Sequence, residues 1–424
     1  MAEHRLTELG SGLRVVTEFV PGVRSVALGF WIGTGSRAET HEQAGLSHLL
    51  EHLLFRGSAR FSSLEIDEIF DSMGAELNAG TGKETTSVHS RVLDRHLPRA
   101  FDVLSDMVWH PAFEDVDTER RVILQEIAMY EDDPQDKVFD VLGEAVFGPH
   151  PLGRAIIGRA EVIAETPLEV IERFHAARYV TGNTVVAAAG SLDHDDIVAM
   201  AAERLPDRPG GAAAMTDAPA ELYPRVRFEA KETEQYHVCL GAPAIARDDD
   251  RRFALRVLDN VLGGTSSSRL FQQIRERRGL AYSVYSFSHL YAGIGQVGIY
   301  LGTEADSLPA ALEVVADELA RLCDCPATPD ELERAKENVK GRLVLSLEST
   351  SARMNRLGSH VLTEVPLLGV DELIERVDAV TVDDLEGLAS ELFAAPRMSA
   401  ACIGPHEETF REALEPVSPV LAAA

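Results

Sequence analysis

Two stretches decide how this chain is read: Leu46–Gly57, LSHLLEHLLFRG, and Ala254–Thr265, ALRVLDNVLGGT. Laid over one another, their apolar positions coincide through Leu262, and both end in glycine-containing turns. Farther on, Glu119–Glu126 (ERRVILQE) matches Glu333–Lys340 (ERAKENVK), and both read as helix. A pattern that returns in order implies an internal duplication. The copies differ in chemistry. His48, Glu51 and His52 face Arg256, Asp259 and Asn260, and Glu126 faces Lys340. The second copy keeps the scaffold and lacks the histidines and the second carboxylate.

Each half begins with strand-like runs, Arg14–Val20 and Ser25–Gly35 in the first, Arg225–Ala230 and Tyr236–Ile245 in the second. Long helical patterns follow, with further strands at Asn183–Leu192 and Met398–Gly404. Strands mixed with helices indicate an α+β architecture of two homologous halves. Arg204–Leu222 is rich in Gly, Ala and Pro and has no period. It reads as a break, giving halves at 1–208 and 221–424 joined by a linker at 209–220.

On a helix, Leu46, Leu49, Leu50, Leu53 and Leu54 form one apolar stripe, and His48, Glu51 and His52 lie opposite. That face is either solvated or occupied. Two histidines at i and i+4 stand one above the other, a spacing that lets both reach one ion at the ~2.0–2.1 Å zinc prefers. Glu51 lies beside them, where a carboxylate can take a proton from water. A catalytic zinc needs a third protein ligand. Glu119 and Glu126, two turns apart on one helix, are the candidates.

The 424 residues, 45% hydrophobic, make a globular protein of more than one domain, and four cysteines are too few for a disulfide scaffold. Cys323 and Cys325 read as packed thiols. The start lacks a signal-like segment, and no run of about 18 apolar residues occurs, so a cytoplasmic protein with no membrane span is expected. A net charge of −29 argues against nucleic acid and anionic membranes as partners.

With these residues assembled, the chain resembles the pitrilysin (insulinase-type, M16) metallopeptidases, whose signature is the inverted H-x-x-E-H motif. The resemblance covers almost the whole chain: GFWIGTGSRAE, HLLEHLLFRGS, ELNAGTGKETT, VILQEIAMYEDDP, GRAIIG and LGGTSSSRLFQQIRERRGLAYSVYS, in order. It implies one zinc per chain on His48, His52 and Glu126, with Glu51 as general base and Glu119 as a supporting glutamate. It implies that Arg275 and Tyr282, from the inert half, hold substrate near the zinc and serve the oxyanion. ELNAGTGKETT resembles the edge strand on which substrate pairs. Asn78 and Ala79 fit that pattern, while Gly80 departs from it, a larger residue being common there. Gly279 is expected to stop the helix before it, and Arg37, Glu39 and the HPLGRAIIG loop are read as structural.

The expectation is therefore a bacterial zinc metalloendopeptidase, a homodimer of the short processing-peptidase-like subfamily. Its halves would close like a clam around unfolded peptides. The alternative is a non-catalytic structural or partner subunit of such a complex.

Overall fold

The computed structural model describes residues 4–206, 210–211, 220 and 222–423. Most of the expected linker at 209–220 lies outside the described residues. The chain divides into two compact units. Unit 1 comprises 1–128, 154–217 and 345–367; unit 2 comprises 129–153, 218–344 and 368–424.

Unit 1 is built on the strands β1 (His4–Glu8), β2 (Arg14–Phe19), β3 (Ser25–Ile32), β4 (Glu76–Thr81), β5 (Thr86–Leu93) and β6 (Thr184–Gly190). They lie in the order β1-β2-β6-β3-β5-β4. β2 and β6 run parallel, and the other neighbours are antiparallel. Unit 2 carries β7 (Val226–Ala230), β8 (Gln235–Ala244), β9 (Ser283–Leu290), β10 (Gly295–Glu304) and β11 (Ser399–Gly404). Their order is β7-β11-β8-β10-β9, again with one parallel pair, β7 and β11. From β2 onward the sheets share one topology, so the duplication seen in the sequence is a duplication of fold. Among the described residues, β1 has no counterpart.

Alternation along β3 shows how each sheet is covered. Val26, Leu28, Phe30 and Ile32 face a core shared with the helices Leu46–Leu53 (α1) and Leu97–Trp109. Ala27 faces the other way, into a cluster with Val16, Val185, Ala187, Ala189, Met354 and Leu357. Every residue of β6, TVVAAAG, is consequently buried, as expected for a strand covered on both faces.

The cover on that second face comes from Thr350–Leu362, a helix of the second sequence half. Its Met354, Leu357 and Val361, at i, i+3 and i+7, lie on the unit 1 sheet. Pro134–Phe147, from the first half, does the same in unit 2. Its Val138, Val141, Leu142 and Val146 pack on Cys239, Tyr300, Ala401 and Ile403. The compact units therefore differ from the linear halves 1–208 and 221–424 in these two exchanged segments. The reason is burial: each amphipathic helix finds its apolar partner in the sheet of the other half.

Leu357 is 1% exposed. Leu357→Ala should cost about 2–5 kcal/mol locally. Hydrogen exchange should report the loss at β6, in unit 1, and leave β8 and β10 protected.

Candidate active site

α1 presents its leucines to the core, where Leu46, Leu49, Leu50 and Leu53 are at most 1% exposed. His48, Glu51 and His52 occupy the opposite, half-buried face, as the periodicity expects. The two imidazoles stand edge to face with centroids 4.8 Å apart.

The helix Val116–Asp132 supplies the carboxylates. Glu126 approaches both rings, with Oε1 3.7 Å from His48 Nε2 and Oε2 3.6 Å from His52 Nε2. Ligand atoms held at 2.0–2.1 Å around a tetrahedral ion lie about 3.4 Å apart. The donors of all three residues lie within 4.8 Å of one another, so the set must draw in to close on a metal. Glu119 is not in this cluster. It is buried and holds His52 from behind, Oε2 lying 3.0 Å from Nδ1. That contact directs Nε2 toward the cluster, as carboxylates behind metal-bound histidines do. The Arg56 guanidinium pairs with the other Glu119 oxygen. Of the two candidates for third ligand, the geometry places Glu126 with the histidines and Glu119 behind them.

Glu51 accepts a hydrogen bond from the Thr81 hydroxyl at the end of β4. Burial, and secondarily the Glu126 charge, raise its affinity for protons, opposed by Thr81 and His52. A carboxylate so poised suits a general base. Burial, with the neighbouring His52 charge, pushes His48 down to about 4, which keeps it neutral and able to bind a metal.

β4 is the outer strand of its sheet, as expected for ELNAGTGKETT. Asn78 is exposed, and its side-chain oxygen accepts the Ala79 N–H at 2.8 Å. Nothing stands within 4 Å of where a Gly80 Cβ would be, so the departure from the larger residue leaves open space. Arg275 and Tyr282 belong to unit 2. Gly279, at φ +62°, ends the helical segment that carries Arg275, with Leu280 N–H bonded back to the Ile274 carbonyl. The Arg275 guanidinium lies over the Tyr282 ring, 4.5 Å from its centroid, and Tyr282 is 77% exposed.

The equivalent positions of unit 2 hold no such cluster. On the helix Arg252–Leu262, Asp259 accepts from Ser286 of β9, and Asn260 donates to Asn338 at 2.8 Å. Lys340 pairs with Asp378. A side-chain hydrogen bond thus satisfies Asn260, which stands where His52 does in unit 1.

Residues 14–160 match the family described as Insulinase (Peptidase family M16), and 167–339 match the Peptidase M16 inactive domain. The chain belongs to peptidase family M16. Among its M16-like relatives is an uncharacterized zinc protease of Streptomyces coelicolor, 42% identical over 95% of this chain and 89% of that one. Another, from Bacillus subtilis, is 42% identical over 90% and 94%. A solved peptidase M16 inactive domain from Pseudomonas fluorescens superposes with a TM-score of 0.89 at 25% identity, covering 95% and 98% of the two chains. A Helicobacter pylori protease shares the fold, with a TM-score of 0.89 at 21% identity over 95% and 100%. Among the described residues of this M16 chain, no helix is long and apolar enough to cross a membrane.

Arg56 and Thr81 went unread in the sequence. Arg56 lies at i+4 from His52, a spacing that signals a shared face. Thr81 is brought to Glu51 only by the fold.

With metal stripped by chelator, stability should fall as pH drops from 6.5 toward 4. In that window the unfolded chain protonates His48 and the folded chain does not. Urea unfolding across pH should show this slope, and His48→Gln should flatten it.

Proposed function

We propose that the chain is a zinc-dependent endopeptidase that cleaves unfolded peptides. The observation that carries this is the gathering of His48, His52 and Glu126, beside a carboxylate whose hydrogen-bond partner among the described residues is Thr81. The names of the bacterial relatives support zinc as the ion, and two imidazoles with one carboxylate suit it. When bound, zinc polarises the scissile carbonyl and lowers the pKa of an attacking water.

The protein does the rest. Glu126 and the histidines would hold the ion, and Glu119 keeps the His52 Nε2 turned toward them. Glu51 takes the proton of the attacking water and returns it to the leaving amine, which needs a carboxylate able to carry a proton near neutrality. Thr81 steadies its Oε2. Substrate adds to the outer edge of β4 as an extended strand, where its carbonyl competes with Asn78 for the Ala79 N–H. Arg275 and Tyr282, carried over from the family resemblance, supply charge and a hydroxyl to the developing oxyanion.

The test is hydrolysis of quenched fluorescent peptides by zinc-loaded protein and its Glu51→Gln variant. Loss of at least about 1000-fold in kcat with zinc retained is the expected result. Equal inactivity of both, with zinc bound, would favour a structural or partner subunit. Glu119→Gln should weaken zinc binding about 10–100-fold, read by competition with a chromophoric chelator.

A further inference from the structure

α1 begins without a capping side chain of its own. Its N-cap is Gly45 at φ +101°, a conformation in which L side chains are strained. A Cβ there would lie 2.9 Å from the Gly158 Cα and 3.1 Å from the Ile157 carbonyl oxygen. Ser, Thr, Asp and Asn, the usual caps, are excluded by conformation and by space. The first N–H groups of the helix still need acceptors, and here Leu46 and Ser47 are buried away from water.

The acceptor comes from upstream. Glu39, 4% exposed, receives the Gly45 N–H on Oε2 at 2.8 Å and the Ser47 N–H on Oε1 at 2.7 Å. Each oxygen takes one donor, so the two contacts fix both the height and the rotation of the first turn. The loop that carries Glu39 is itself held. Arg154 donates to the carbonyls of Ser36 and Glu39, and Arg178 to that of Ala38. The matching helix of unit 2, which lacks the metal residues, makes no such arrangement. It starts at Arg251, whose N–H is accepted by the nearby Asp249 at 2.8 Å.

Ser47 is followed by His48. Glu119 orients His52, and Thr81 holds Glu51, but among the described residues His48 Nδ1 is buried with no hydrogen-bond partner. The placement of the His48 ring thus depends on the backbone of the first turn more than that of the other two. A metal centre tolerates misplacement of only about 0.5 Å.

We infer that Glu39 is a positioning residue of the metal centre, fixing the first turn of α1 and through it the reach of His48 toward the ion. This rests on the zinc reading above. Glutamine at position 39 keeps the shape but offers one acceptor oxygen, and its amide would turn a donor toward a backbone N–H.

The experiment compares wild type, Glu39→Gln and Glu39→Ala in the full chain. Zinc affinity is measured by chelator competition, ligand geometry by the visible spectrum of the cobalt-substituted protein, and stability by urea unfolding with chelator present. Peptide hydrolysis separates kcat from KM. The expected result for Glu39→Gln is zinc binding weakened about 10-fold or more, displaced cobalt bands, and kcat reduced with KM within about twofold. A wild type that takes up neither zinc nor cobalt would sink the zinc reading itself. If wild type binds and a folded Glu39→Gln matches it in affinity, spectrum and kcat, the inference is overturned while the zinc reading stands. It is equally overturned if the variants cannot be obtained folded, or lose zinc only in proportion to lost stability, because Glu39 would then serve the core alone.

Discussion

The packing of the α1 leucines on the sheet of unit 1 is the contact on which the site depends. Four side chains on one face of a two-turn helix are almost wholly removed from water, each worth roughly 1.5–3 kcal/mol of transfer free energy. Because a helix has a fixed period, that burial leaves no choice about where His48, Glu51 and His52 go. They are forced to the opposite face, next to the end of β4 and the carboxylates of Val116–Asp132. Polar groups so crowded and half-buried require partners, and Glu119, Arg56 and Thr81 provide some of them. His48, His52 and Glu126 are left facing one another.

The two units show the same frame satisfied by different chemistry. Glu51 meets Thr81 and Asp259 meets Ser286, in each case a carboxylate and a hydroxyl from the outermost strand. Burial raises the proton affinity of both carboxylates. What separates them is the neighbourhood. Beside Asp259 stands Asn260, whose amide is satisfied by Asn338, and Lys340 is drawn away to Asp378. Amide pairs and an ion pair complete themselves; two imidazoles and a carboxylate do not. The chemical difference between the copies therefore lies in a handful of side chains carried on a strand order that the two sheets share from β2 onward.

Much of this was legible in the sequence because periodicity is local. The leucine stripe, the i, i+4 histidines and the seven-residue spacing of Glu119 and Glu126 are properties of single helices, and they survive folding unchanged. The strands Arg14–Phe19, Ser25–Ile32, Val226–Ala230 and Gln235–Ala244 fall where alternation and β-branched residues put them. Two kinds of information were not legible. Contacts such as Thr81 on Glu51 or Glu39 on the start of α1 join residues whose spacing has no period. The exchanged helices were hidden for a different reason: Val138, Val141, Leu142 and Val146 announce an apolar face without naming the sheet that receives it. Which of two similar sheets a helix joins is decided by the path of the whole chain.

That exchange has a consequence for how the molecule is made. During synthesis the strands of unit 1 are complete once Gly190 has emerged, yet the residues that cover their second face begin only at Thr350. At roughly 5–20 residues per second, Val16, Ala27, Val185, Ala187 and Ala189 wait on the order of ten to thirty seconds for Met354 and Leu357. The nascent chain spends that interval with an apolar sheet face open to water and to other nascent chains. Unit 1 has all its segments only once Leu367 has emerged, and unit 2 only after β11, so the first does not close when its own linear half of the chain has been made.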